Sequence, residues 1–112
     1  MPASAIGSAE RASLGQAIAR QLKPHWAAPQ GVDAELLVSM LSFDLNSDGS
    51  LAGPPRLVSQ EGITEANRPQ AGRHAEQAIR AVQLAAPFDL PPQFYNAWKN
   101  IRSVRFDRNL SR

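Results

Sequence analysis

The stretch FDLNSDGSLAGPP, residues 43–55, has the residue types and part of the spacing of a calcium-binding loop. Asp44, Asn46 and Asp48 occupy alternate positions and a glycine follows them. An EF-hand loop has oxygen ligands at positions 1, 3 and 5, a glycine at 6, and a glutamate at 12 that supplies two oxygens. Position 12 here is Pro55, which has no side-chain oxygen. The pattern therefore predicts a turn, and no metal site.

Two runs with the alternation of β-strands flank this turn. The first begins at Glu35 and ends near Leu45, with leucine and phenylalanine at alternate positions. The second runs from Ser50 to Ser59 and includes Pro54 and Pro55, which lack an amide hydrogen. Such a strand lies at the edge of a sheet or is interrupted at the prolines. An Asp-Gly pair between two such runs is a strong hairpin signal, since both residues adopt positive φ.

Other residues that do chemistry are too few or too scattered to form a catalytic or cofactor site. His25 and His74 are the only histidines, they fall on different elements, and the chain has no cysteine. Two histidines without a paired acid at ligand spacing are a weak metal pattern. No nucleophile elbow, glycine-rich phosphate loop or pair of catalytic carboxylates is present. We therefore predict that the chain is not an enzyme and has no catalytic residue, metal or cofactor.

Positive charge is concentrated at the C-terminal end, although the whole chain carries a net charge of only +2. Such an end suits a nucleic acid, an acidic lipid or an acidic protein partner, or simply a solvated terminus. Arg102, Arg105 and Arg108 around Phe106 are a thin version of the basic and aromatic pattern of RNA-binding strands. The alternative for Phe106 is packing in the core.

The 112 residues suffice for one domain with its own core. A capping box at Ser13 and Gln16 predicts the start of a first helix, which ends before Pro24. Asn67 caps a second helix that Pro87 terminates. The predicted buried stripes are Leu14, Ile18 and Leu22 in the first helix, and Ala71, Ala75, Ala78, Ile79 and Val82 in the second.

The remainder of the chain predicts a short helical turn and a third strand. The core is closed by Phe88, Leu90, Phe94 and Trp98. The strand spans Ile101 to Asp107, with Val104 and Phe106 on one face and Ile101, Ser103 and Arg105 on the other.

The order helix, strand, strand, helix, short turn, strand defines an α+β fold. A three-stranded antiparallel sheet packs against two main helices plus a short third helical turn. We expect a flexible segment over residues 1–12, the domain over 13–108 and a tail over 109–112.

Three segments in this order resemble the C-terminal domain of the TolA family, within the TonB/TolA C-terminal superfamily. They are IARQLKPHWAAPQG, LSFDLNSDGSLAGPP and AEQAIRAVQLAAPFDLPPQFYNAWKNIRSVRFD, which together run from about Ile18 to Arg108. The APFDLPP corner followed by YNAWK favours TolA over TonB, whose C-terminal domain shares the architecture. Some family members contain a disulfide, whereas this chain has no cysteine.

The resemblance implies a non-enzymatic periplasmic domain of an inner-membrane-anchored protein in a Gram-negative bacterium. Such a domain binds the N-terminal segment of TolB and couples the inner-membrane proton-motive force to outer-membrane integrity and to constriction at division. TolQ and TolR act through regions absent from this chain, so the resemblance implies a piece of a longer protein. Colicins and filamentous phage coat proteins are further partners. Neither nucleic acid nor direct membrane contact is expected of this domain.

The expected mechanism is addition of a partner strand to the edge of the last strand. The predicted partner-binding residues are Arg102, Ser103, Val104, Arg105, Phe106 and Asp107. The alternatives are that these residues only complete the sheet, that the domain docks on outer-membrane transporters as TonB does, or that it is a small nucleic-acid binder.

Overall fold

A three-stranded antiparallel sheet forms the centre of the molecule. The computed structural model describes residues 7–111, in which β1 (Val38–Asp44) pairs with β2 (Arg56–Glu61) on one side and with β3 (Asn100–Phe106) on the other. The strand order is β2-β1-β3, so both β2 and β3 are edge strands. The predicted α+β class with a three-stranded antiparallel sheet is confirmed.

One face of β1 is completely buried, as the alternation in its sequence predicts. Leu37, Leu41 and Phe43 have no exposed surface, and Ser39 lies buried among them. The opposite face is more open, because Met40, Ser42 and Asp44 are only partly covered. The buried face receives the helices and therefore holds the core.

The first helix, α1 (Ser8–Leu22), is longer than predicted. It begins five residues before Ser13, with Gly7 as its N-cap and no side-chain capping bond, so the predicted capping box is wrong. Residues 8–12 of the predicted flexible segment are helical, whereas residues 1–6 lie outside the described range. The helix ends where predicted, because Pro24 turns the chain into a 3-10 turn.

The second helix, α2 (Arg68–Ala85), begins after Asn67 with Pro69 in its first turn. Its predicted alanine-rich stripe is buried, apart from the partly covered Ile79. Asn67 occupies the N-cap position, but its side chain does not cap the helix. Instead its Nδ2 donates to the carbonyls of Asp33 at 2.9 Å and Gly62 at 2.8 Å, which joins two loops.

A proline corner and the short helix α3 (Tyr95–Trp98) close the core after α2. Phe88 stacks on Phe43 with ring centroids 5.6 Å apart, and the Trp98 indole donates to the Pro91 carbonyl at 2.8 Å. The predicted tail after β3 is ordered as a 3-10 turn, Arg108–Ser111, up to residue 111. Residue 112 of that tail lies outside the described range.

The predicted placement of Ile101 on the face of β3 opposite Val104 and Phe106 is wrong. The register with β1 shifts between Leu41 and Phe43, so Val104 pairs with Leu41 but Ile101 pairs with Phe43. Directly paired residues of antiparallel strands share a face, so Ile101 joins Val104 and Phe106 on the core side. The shift adds one residue to β3, and this β-bulge reverses the alternation beyond it.

The Asp-Gly turn forms the predicted hairpin, with Gly49 alone at positive φ, 86°. The Asn46 carbonyl accepts from the Gly49 amide at 2.9 Å, and Asp48 accepts from the Ser50 amide at 2.9 Å. Hydrogen bonds from the hydroxyl and the amide of Ser50 lower the pKa of Asp48. After the turn the chain forms a Leu45–Leu51 bridge and the Ala52 amide donates to the Asp44 carbonyl at 2.9 Å, and β2 starts directly after the two prolines.

The hairpin turn tolerates no side chain at Gly49, because a Cβ there would collide with the Phe88 carbonyl oxygen. We expect Gly49→Ala to lower the free energy of unfolding by at least about 2 kcal/mol, from backbone strain and this clash together. Gly53→Ala is the matched control, since a Cβ at Gly53 meets open space. Urea denaturation of both variants measures the difference, and equal midpoints would contradict the prediction.

Candidate protein-binding groove

A groove of about 840 Å³ runs between α1 and the free edge of β3. Leu14 and Ile18 of α1 and Ile101 and Val104 of β3 supply apolar lining on its two sides. Leu14 and Ile18 also belong to the core cluster, so the groove opens directly onto the core. One wall is therefore a sheet edge and the other is a helix, with an apolar floor between them.

The described residues that line this groove carry positive charge and include no acidic side chain. Arg11 of α1 and Arg102 and Arg105 of β3 are its charged members. Among the described residues, Arg11 and Arg102 form no ion pair. Arg105 is held by Asp107, with Nε 2.7 Å from the carboxylate, and lies 4.0 Å from Glu61. The groove thus presents a basic rim to an extended ligand.

Four of the six predicted partner-binding residues line the groove. Arg102 and Ser103 are exposed at the bulge, Val104 is half-buried on the floor side, and Arg105 is exposed. The register with β1 runs unbroken from Val104 to Phe106, so the regular part of the edge begins just after the bulge. A partner strand fits best against this regular part, because a bulge disrupts the ladder locally.

The side chains of Phe106 and Asp107 lie elsewhere and have structural roles. Phe106 is fully buried and packs edge-on against Trp26 with ring centroids 5.2 Å apart. Asp107 accepts from Arg105 and from the Asn109 amide at 2.9 Å, and its carbonyl accepts from the Trp26 indole at 3.0 Å. Burial raises the pKa of Asp107, but these hydrogen bonds outweigh it and hold the pKa below its usual value.

The α1 side of the groove was absent from the sequence-based site. Arg11, Gly15 and Ala19 recur every four residues along α1 and line the groove beside the buried stripe. The four-residue spacing is visible in the sequence, but the predicted flexible segment over residues 1–12 left Arg11 outside the predicted helix. A Cβ added at Gly15 meets nothing within 4 Å, so this glycine leaves the groove open.

A buried polar cluster joins α2 to the sheet on the other side of the core. Gln60 Nε2 donates to Ser39 Oγ at 3.0 Å and to the Ala71 carbonyl at 2.8 Å. Ser39 Oγ lies 2.7 Å from His74 Nδ1. Burial lowers the pKa of His74, with a smaller opposing effect from Asp107, so the ring is neutral near pH 7 and shares one hydrogen bond with the Ser39 hydroxyl.

The Ser39–His74 pair has the distance of a nucleophile and its base but is closed to a substrate. Ser39 has no exposed surface, and its hydroxyl lies between the sheet and α2, where no substrate carbonyl reaches it. In the part of the chain that the structure describes, no three His, Cys, Asp or Glu side chains gather as a metal site. The cluster therefore holds α2 against β1 and β2.

Comparison with protein-family models, curated proteins and solved structures finds no match to this chain. Within residues 7–111, no helix combines the length and the apolar character needed to cross a bilayer.

The neutral buried ring of His74 makes stability depend on pH. In the unfolded chain the ring titrates near its ordinary pKa of about 6.5, whereas the folded pKa is lower. Below pH 6.5 the unfolded state therefore binds more protons, and the free energy of unfolding falls as the pH drops from about 7.5 to about 5. We expect His74→Gln to flatten this dependence and His25→Gln to retain it. Urea denaturation at both pH values measures it, and identical slopes for wild type and His74→Gln would contradict it.

Proposed function

We propose that this chain is a non-enzymatic protein-binding domain of the TolA type, which binds the N-terminal segment of TolB in the groove between α1 and β3. The observation that carries the proposal is a free strand edge beside an apolar floor with a basic rim. The sequence resemblance supplies the family and the partner. It also supplies the periplasmic setting and the coupling to the proton-motive force through TolQ and TolR.

Strand addition explains how the groove takes an extended segment. A segment paired with β3 continues the sheet as β2-β1-β3-segment, and main-chain hydrogen bonds along the free edge supply affinity. Alternate side chains of the segment point toward α1, where they meet Val104, Ile101 and Leu14. The inward positions of the segment are therefore apolar.

The basic rim favours acidic residues on the segment. Arg11 and Arg102 have no carboxylate partner among the described residues, and each is exposed. An acidic side chain on the segment gains a charge-assisted hydrogen bond there without displacing an existing partner. The preferred ligand has apolar residues at its inward positions and acidic residues within reach of Arg11 or Arg102, and its association weakens with salt.

The placement of the aromatic residues disfavours nucleic acid as the ligand. Single-stranded nucleic acids bind through exposed aromatic rings that stack on bases. Phe106 of β3 and Trp98, which lines the groove, are buried in the core. Docking on outer-membrane transporters in the TonB manner uses the same strand-addition geometry. The identity of the peptide that binds therefore distinguishes a TolA-type domain from a TonB-type domain.

The test is an NMR titration of the labelled domain with a peptide of the TolB N-terminal segment from the same genome. We expect saturable shifts at residues 102–105 of β3 and at Arg11, Gly15 and Ala19 of α1. Saturable shifts confined to β2 or α2 would keep the partner and overturn the groove. No shifts at millimolar peptide would overturn the TolB assignment, and a TonB-box peptide and a single-stranded oligonucleotide, tested in parallel, identify the alternative.

Filling the groove from α1 tests the site without weakening the fold. We expect Gly15→Met to reduce peptide affinity about tenfold or more, because the new side chain occupies the space that the segment needs. Gly72→Met is the matched control, since Gly72 is also helical and open. Both changes raise helix propensity by up to about 1 kcal/mol, so both variants are at least as stable as wild type. Equal affinities of the two variants would exclude the groove.

A further inference from the structure

The second edge of the sheet, β2, is exposed and has no charge or proline at its centre. Every residue of β2 except Gln60 is exposed, and Leu57 and Val58 show 44% and 56% of their surface. Edge strands that stay unpaired usually carry charge, proline, a β-bulge or a covering element, and the centre of β2 has only the bulge at Val58. The prolines precede β2, and its charges lie only at its two ends, Arg56 and Glu61.

A register shift places these two end charges on the same face of the sheet. Arg56 pairs with Ser42 and Glu61 pairs with Val38, and Ser42 and Val38 are four residues apart on β1. Residues four apart on a strand share a face, so Arg56 and Glu61 share one too. They are five residues apart on β2, and a regular strand would place them on opposite faces. The register shift between Met40 and Leu41 adds one residue to β2 and so returns Arg56 to the face of Glu61.

This arrangement is self-complementary under two-fold symmetry. When two β2 strands pair antiparallel, Arg56 of each copy lies opposite Glu61 of the other, and Leu57 lies opposite Gln60. We propose that β2 is a homodimer edge, at which a second copy of this chain continues the sheet to six strands. An isologous contact of this kind repeats every favourable pair twice.

Existing ion pairs extend the complementarity across the dimer. Arg56 lies 3.5 Å from Asp44 in its own chain, and Glu61 lies 4.0 Å from Arg105. In the dimer, charges alternate in the order Asp44, Arg56, Glu61 of the second copy and Arg105 of the second copy. Exposed ion pairs add little affinity each, so the charges set the register while Leu57 and Val58 supply the burial.

The test is sedimentation of the wild type and two charge-reversal variants at concentrations up to about 1 mM, a range suited to a small interface. We expect a concentration-dependent wild-type dimer. Arg56→Glu and Glu61→Arg each place like charges opposite each other twice, and each weakens self-association about tenfold or more. An equimolar mixture of the two variants restores both pairs at once, so it forms a heterodimer of wild-type affinity.

Arg102→Glu is the matched control, because Arg102 lies on the opposite edge of the sheet. This variant retains the wild-type dimer, and circular dichroism establishes that each reversal variant is folded. A wild type that stays monomeric up to about 1 mM, or a mixture that stays as dissociated as its components, overturns the β2 dimer. Loss of the dimer in Arg102→Glu moves the contact to β3. None of these outcomes depends on whether TolB binds the groove.

Discussion

The interaction on which the rest of the structure depends is the pairing of β1 with both of its neighbours. Among the strands of residues 7–111, β1 alone has two partners, and its buried face holds the side chains around which the helices pack. Both pairings contain a register shift, one between Met40 and Leu41 and the other between Leu41 and Phe43. Each shift re-aims the side chains of an edge strand. The shift in β3 turns Ile101 toward the groove, and the shift in β2 brings its two end charges to one face.

Polar groups inside the fold are used to join elements that hydrophobic packing alone does not align. Ser39 faces the core from β1 and meets His74 of α2 and Gln60 of β2, so one hydroxyl connects three elements. Asn67 connects the loop before β1 to the loop after β2 in the same way. Among the described residues, no buried side-chain polar atom lacks a partner. A fully satisfied polar cluster specifies one arrangement of the elements, whereas a partly satisfied one costs free energy.

The features that follow from local rules were predictable from the sequence. The alternation of β1, the stripe of α2, the Asp-Gly hairpin and the proline corner all arise from periodicity or from fixed φ values. The start of α1 was missed because Gly7 caps it without a side-chain signal. The face of Ile101 was missed because a bulge depends on how two distant strands pair, and no residue type within β3 signals that bulge. The groove was half predicted, since β3 was recognised as an edge while its α1 wall depends on tertiary packing.

The strand order has a consequence for valency. Because one strand separates the two edges, an extended ligand on β3 and a neighbouring chain on β2 do not compete for space. In the proposed β2 dimer, the two grooves are carried on one continuous sheet, at a fixed separation and in directions related by the two-fold axis. A partner that displays two copies of its segment on a linker of matching length gains an effective concentration for the second contact, which raises its avidity by about 10²–10⁴ over a single segment.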